Sequence, residues 1–242
     1  MLKGYIEGYY GRLFSEDERA KVINHIGKLK MEFYLYGPKE DLYHRIEWGK
    51  TYPAKEQKTL RNLVDGCKKN KIKPIFAISP GLQSSKLSKN FIKTLTSKLK
   101  QAHQLGFNDF AIFFDDIEHK KDNELAKFHL TIINLVSSID FLKKNSLMVC
   151  PTVYCKSFAK GNIQKNEYLK ALAEDIDPSI SILWTGDEVV NQAISQKGIK
   201  ELKSLFSNPI IIWDNYYAND YCPSRFYIGA SKGRKSVGHL TK

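Results

Sequence analysis

Seven short apolar runs separated by amphipathic stretches predict an α/β fold with a parallel sheet. Polar residues gathered at the C-terminal ends of those runs narrow this to a (β/α)8 barrel, whose working face is built from the loops after the strands. In chain order the first strand-like run is GYIEGYYG (4–11), followed by the helical pattern EDERAKVINHIGKL (16–29). FYLYG (33–37) precedes KEQKTLRNLVDGCKK (55–69), and KPIFAIS (73–79) precedes SKNFIKTLTSKLKQAHQLG (88–106). Next come DFAIFFDD (109–116) with ELAKFHLTIINLVSSIDFLKK (124–144), and SLMVCPT (146–152) with KNEYLKALAED (165–175). SILWTG (181–186), GIKELKSLF (198–206) and PIIIWDN (209–215) complete the series. Apolar residues in the helical stretches recur every three or four positions, as at Leu95, Leu99 and Ala102, which gives each helix one buried face. No repeat, low-complexity tract or linker interrupts the series, so one domain over 1–242 is expected.

A chain of 242 residues with 42% hydrophobic and 12% aromatic content can bury one substantial core. No apolar run approaches the ~20 residues that span a bilayer, and MLKGYIEGYY does not read as a signal peptide. A soluble, cytoplasmic protein with no membrane partner is therefore expected. Cys67, Cys150, Cys155 and Cys222 lack paired metal spacing, which suggests reduced thiols. The net charge of +12 fits an anionic partner or solvated helix faces. The lysines are spread over helical stretches such as KTLTSKLKQ with no Arg-rich block, so solvated faces are favoured and nucleic acid is not expected. His44, Glu118 and His119 are scattered, and no phosphate-cradling glycine loop or GxSxG elbow is present. Neither a metal nor another cofactor is expected.

The polar run ends comprise Glu7, Lys39, Asp115, Asp116, Thr152, Tyr154, Thr185, Asp214 and Asn215. Asp115 and Asp116 follow FAIFF directly. Strand side chains alternate between faces, so adjacent carboxylates reach one site only where the strand gives way to its loop. Held close, they push each other's pKa apart, leaving one ionised and one protonated. One Asp can instead cap the next helix; two together on a polar rim favour chemistry. Tyr9, Tyr10, Tyr36, Tyr154, Trp184, Trp213 and Tyr216 lie at the same ends and suit a sugar ring, whose C–H faces rest on aromatics.

Taken together, GYIEGYYGR (4–12), FYLYGPKEDLYHR (33–45), FAISPGL (76–82), FFDDIEH (113–119), CPTVYC (150–155), LWTGDEVV (183–190) and IIWDNYYANDY (211–221) resemble the catalytic domain of glycoside hydrolase family 84, the O-GlcNAcases. The resemblance covers nearly the whole chain, in order. It implies a TIM barrel that removes terminal β-linked N-acetylglucosamine, such as that on protein Ser or Thr, by substrate assistance through an oxazoline. Its substrate would be a GlcNAc-bearing glycoprotein or glycan. By position, Asp115 would orient the acetamido N–H and Asp116 would be the general acid, then base. Gly8 would present its backbone to a sugar hydroxyl and Lys39 would bind a hydroxyl oxygen. Tyr154 and Trp213 would wall the acetamido pocket, with Cys150 and Thr185 lining its floor. Asn215 would hold the acetamido group or a neighbouring Asp, and Asp220 the distal hydroxyls. The family pattern runs further, to a last strand ending in Asn and a closing helix. Here GHLTK (238–242) is the expected remnant of that strand, and the barrel is expected to lack its final helix. The same features also fit a GlcNAc-binding module without turnover.

Overall fold

The computed structural model describes residues 2–80, 87–117, 120–218 and 220. GHLTK, Glu118, His119, Cys222 and the end of FAISPGL lie outside them. The strands are β1 (Gly4–Glu7), β2 (Phe33–Tyr36), β3 (Lys73–Ile78), β4 (Asp109–Phe113), β5 (Leu147–Cys150), β6 (Ser181–Trp184) and β7 (Ile210–Ile212). The helices are α1 (Glu16–Lys28), α2 (Ala54–Lys69), α3 (Lys89–Gln104), α4 (Asn123–Ser137), α5 (Glu167–Asp175) and α6 (Gln196–Leu205). A single turn of 3₁₀ helix, Ile163–Lys165, precedes α5. The strands follow chain order in one seven-stranded sheet, parallel from β1 to β4 and from β5 to β7. A helix after each strand but the last described is the α/β arrangement the sequence predicts. Among the described residues no helix is long and apolar enough to cross a membrane.

The chain packs as two compact units, one of residues 1–112 and 135–147, the other of 113–134 and 148–242. In the first, Ser15 starts α1 with a reciprocal cap: its hydroxyl accepts the Glu18 N–H, and the Glu18 carboxylate accepts the Ser15 N–H at 2.9 Å. Ser88 caps α3 by accepting the Phe91 N–H. Leu60, Leu63 and Val64 of α2, with Leu95 and Leu99 of α3, are buried at the helical spacing the sequence shows. Glu7, at the end of β1, is buried beneath a forked Arg19 (2.8 and 3.0 Å) and the Tyr34 hydroxyl (2.5 Å). Three donors on one carboxylate offset much of its desolvation.

In the second unit, Asn166 caps α5 and Ser195 caps α6. Ile182, Leu183 and Trp184 of β6 are buried together with Leu169, Leu172, Ile199 and Leu202. Trp184 shows why an aromatic at a strand end is ambiguous from sequence, since it is 1% exposed and belongs to the core.

Three boundaries depart from the periodicity. The stretch 124–144 reads as one helix, but α4 ends at Ser137. The Ser138 hydroxyl donates to the Leu135 carbonyl at 2.8 Å, and such side-chain bonds compete with the helical ladder. Phe141 stacks on His103 with centroids 4.4 Å apart and also meets Phe110. Its apolarity reflects that packing rather than a helix face. The strands also stop before their apolar runs do, β4 at Phe113 and β7 at Ile212. Asp115, Asp116, Trp213 and Asn215 are therefore loop residues.

Candidate active site

The chain leaves β4 through Phe114, whose N–H donates to the Cys150 carbonyl at 2.9 Å. Asp115 follows at 8% exposure, whereas Asp116 is exposed. Asp116 has φ +54°, a left-handed conformation that costs a non-glycine residue about 1–2 kcal/mol. That turn breaks the strand alternation that would send neighbouring side chains to opposite faces. The Tyr154 hydroxyl donates to Asp116 Oδ1 at 3.1 Å. Burial, and then the charges of Asp116 and Asp115, hold the Tyr154 phenol well above its ordinary pKa. One protonated phenol thus senses both carboxylates, and it stays a donor across the physiological range.

The β5 and β6 ends are tied to each other. The Thr185 N–H donates to the Tyr154 carbonyl at 2.9 Å, and Cys155 and Gly186 form a parallel bridge. The Thr185 hydroxyl donates to the Glu188 carbonyl at 2.7 Å, so its proton is committed to the loop. Cys150 is buried at the end of β5, with its thiol 3.9 Å from the Pro151 carbonyl. The Trp213 N–H donates to the Trp184 carbonyl at 2.9 Å, and its half-buried ring lies 5.1 Å from Phe113. Asn215 donates from Nδ2 to the Val189 carbonyl at 3.0 Å. Asp220 is half-buried.

Gly8 and Lys39 belong to the first unit. Gly8 follows β1, and the Lys39 N–H donates to the Tyr9 carbonyl at 3.3 Å, bringing the two loops together. Lys39 is 5% exposed and its Nζ stands 5.9 Å from the Tyr10 ring centroid, within cation–π range.

A sequence model of the β-N-acetylglucosaminidases matches residues 3–238. The chain belongs to the β-N-acetylglucosaminidase family. This β-N-acetylglucosaminidase-family chain is 34% identical over 241 residues to the protein O-GlcNAcases of Mus musculus and Rattus norvegicus. Those alignments cover 97% of this chain and 26% of each relative, so the chain spans about a quarter of their length. Among solved structures it superposes on CpGH84B with a TM-score of 0.83 at 30% identity, covering 94% of this chain and 41% of that one. The barrel class and the family 84 resemblance both hold.

Sequence reasoning missed three polar residues that shape these loops in the β-N-acetylglucosaminidase-family chain. Asn191, 3% exposed, donates to the Thr185 and Glu188 carbonyls (2.8 and 2.7 Å) and accepts the Glu188 N–H (2.9 Å). Gly186, at φ +128°, lets Asn191 approach, since a Cβ there would lie 2.9 Å from its amide. The pairing of Gly and Asn in TGDEVVN was the available turn signal. Asp41 accepts the Tyr36 hydroxyl (2.8 Å), the Tyr52 hydroxyl (2.7 Å) and the Tyr43 N–H (2.9 Å), which fixes the turn after Lys39.

The third is Lys98, 1% exposed, whose Nζ donates to the Lys50 carbonyl and stands 3.8 Å from the Tyr52 ring centroid. Burial lowers its pKa from 10.5 to about 7. Between those values the unfolded chain binds more protons than the folded one, so this lysine makes stability rise with pH and lowers it toward pH 7. A Lys98→Met variant lacks that penalty. Its stability relative to wild type is expected to fall by about 2 kcal/mol between pH 7 and pH 9 in urea unfolding. A constant difference would show that Lys98 stays charged when folded.

Proposed function

We propose that this chain is the catalytic part of a glycoside hydrolase that removes terminal β-linked N-acetylglucosamine. The observation that carries the reading is the contrast within one dipeptide, a buried Asp115 beside an exposed Asp116 that bonds Tyr154. Ordinary retaining glycosidases set a carboxylate nucleophile across the ring from the acid; adjacent aspartates suit a substrate that brings its own nucleophile.

In this route the 2-acetamido oxygen attacks the anomeric carbon as the glycosidic C–O bond breaks. Asp116 gives its proton to the departing oxygen. Asp115 accepts the acetamido N–H and balances the positive charge that develops on the closing oxazoline. Burial makes that charge interaction stronger than it would be in water. Asp116 then takes a proton from water as its oxygen attacks the anomeric carbon, the oxazoline opens, and the β configuration is retained. The exposure of Asp116 suits both exchanges, because leaving group and water must each reach it. Tyr154 would hold the Asp116 carboxylate in place between them. Trp213 would wall the acetamido group, Cys150 and Thr185 its floor, and Asn215 and Asp220 would take the remaining polar groups.

The curated relatives are named protein O-GlcNAcase. That name supports O-linked GlcNAc on protein as the substrate. Hydrolysis of a fluorogenic aryl β-GlcNAc by purified 1–242 tests the reading. Turnover that stops on adding a thiazoline mimic of the oxazoline is expected. Tight binding of that mimic without turnover would instead make the chain a sugar-binding module.

A further inference from the structure

Behind the carboxylates lies a buried pair of side chains that the proposed reaction does not use. His129 on α4 is 0% exposed, and its ring lies flat on Phe114 with centroids 3.7 Å and planes 7° apart. Its Nδ1 is 2.9 Å from the hydroxyl of Tyr168, itself 0% exposed in the first turn of α5. The same hydroxyl accepts the backbone N–H of Thr152 at 3.1 Å. A phenol has one proton to give. Giving it to His129 Nδ1 while accepting from Thr152 uses each group once. Burial raises the Tyr168 pKa, which keeps that proton in place.

The positions of the contacted residues give the pair its meaning. Phe114 immediately precedes Asp115, and Thr152 lies midway between Cys150 and Tyr154. We infer that His129 and Tyr168 are positioning residues, locking the stretch 114–116 to the stretch 150–154 so that the Tyr154 hydroxyl meets Asp116. An apolar pair could fill the same space, but it would impose no single orientation. A ring stacked on one loop and hydrogen-bonded through a phenol to the backbone of another imposes one. The effect on turnover rests on the glycosidase reading; the mechanical link does not.

Tyr168→Phe keeps the ring and removes only the hydroxyl. It is expected to lower kcat on an aryl β-GlcNAc by about tenfold with KM changed less than about twofold, as for a small misplacement of reacting groups. Amide exchange is expected to quicken in both 113–117 and 150–154. His129→Phe keeps a ring against Phe114 but offers no acceptor, and the double variant should lose little more than either single one. Unchanged exchange at 113–117, or unchanged kcat in an active protein, overturns the inference. A lower melting temperature with neither change does so too, because the pair would then serve stability alone. If the wild-type chain turns over nothing, the glycosidase reading fails, and exchange at 113–117 still decides for or against the pair.

Discussion

Asp116→Ala is expected to lower kcat/KM by about 10²–10⁴-fold on aryl β-GlcNAc substrates with poor leaving groups, the range that general acid catalysis contributes. On substrates with good leaving groups the loss should be much smaller, because an acidic phenol departs with little help from a proton. The comparison is made by plotting kcat/KM against the pKa of the leaving phenol. Wild type should give a shallow slope and the variant a steep one. Asp116→Asn belongs in the same series, since Asn tolerates the left-handed backbone that Asp116 adopts at φ +54°. If the two variants agree, the effect comes from the lost proton and not from a displaced loop. Equal losses on good and poor leaving groups would argue against Asp116 as the acid.

Asp115→Ala should behave differently. Its proposed work, orienting the acetamido group and balancing charge on the closing ring, involves no proton transfer to the leaving group. Losses of about 10²–10³-fold are expected, as for other groups that stabilise developing charge, and they should be alike across the whole leaving-group series. A substrate whose acetamido is replaced by a plain hydroxyl supplies the control: it lacks the internal nucleophile, so wild type should hardly turn it over. Appreciable wild-type turnover of that compound would remove the substrate-assisted route, whatever the Asp115 variant does.

The order of strands and helices was legible because each element carries its own period, and the Ser15 and Ser88 caps sit where helix starts need them. The ends were less legible. Phe114 is as apolar as Phe113, yet it is buried as a loop residue, and apolarity alone cannot separate strand from buried loop. Phe141 misled for the same reason, its partners His103 and Phe110 being distant in sequence. Within the candidate site, the aspartate pair announced itself by residue type and place, and the bond from Tyr154 to Asp116 joins two residues that the resemblance had singled out. Thr185 carried a weaker signal: its hydroxyl is bound to the Glu188 carbonyl three residues on, a local turn contact of the kind any loop threonine can make. Asn191 offered only a turn signal, and Asp41, His129 and Tyr168 carried no signal of their own in the sequence. Each is one polar residue in an ordinary-looking stretch, and its importance comes from what folding brings against it.

The left-handed backbone at Asp116 also bears on how this protein would fare under artificial evolution. Glycine reaches that conformation freely, so Asp116→Gly removes a local strain of about 1 kcal/mol and gives up the proposed proton donor with it. A library screened only for survival of heating should accumulate glycine at 116, yielding sturdier molecules that, on the proposed mechanism, no longer cleave sugar. A screen that demands both properties should keep the aspartate and recover its endurance elsewhere in the chain.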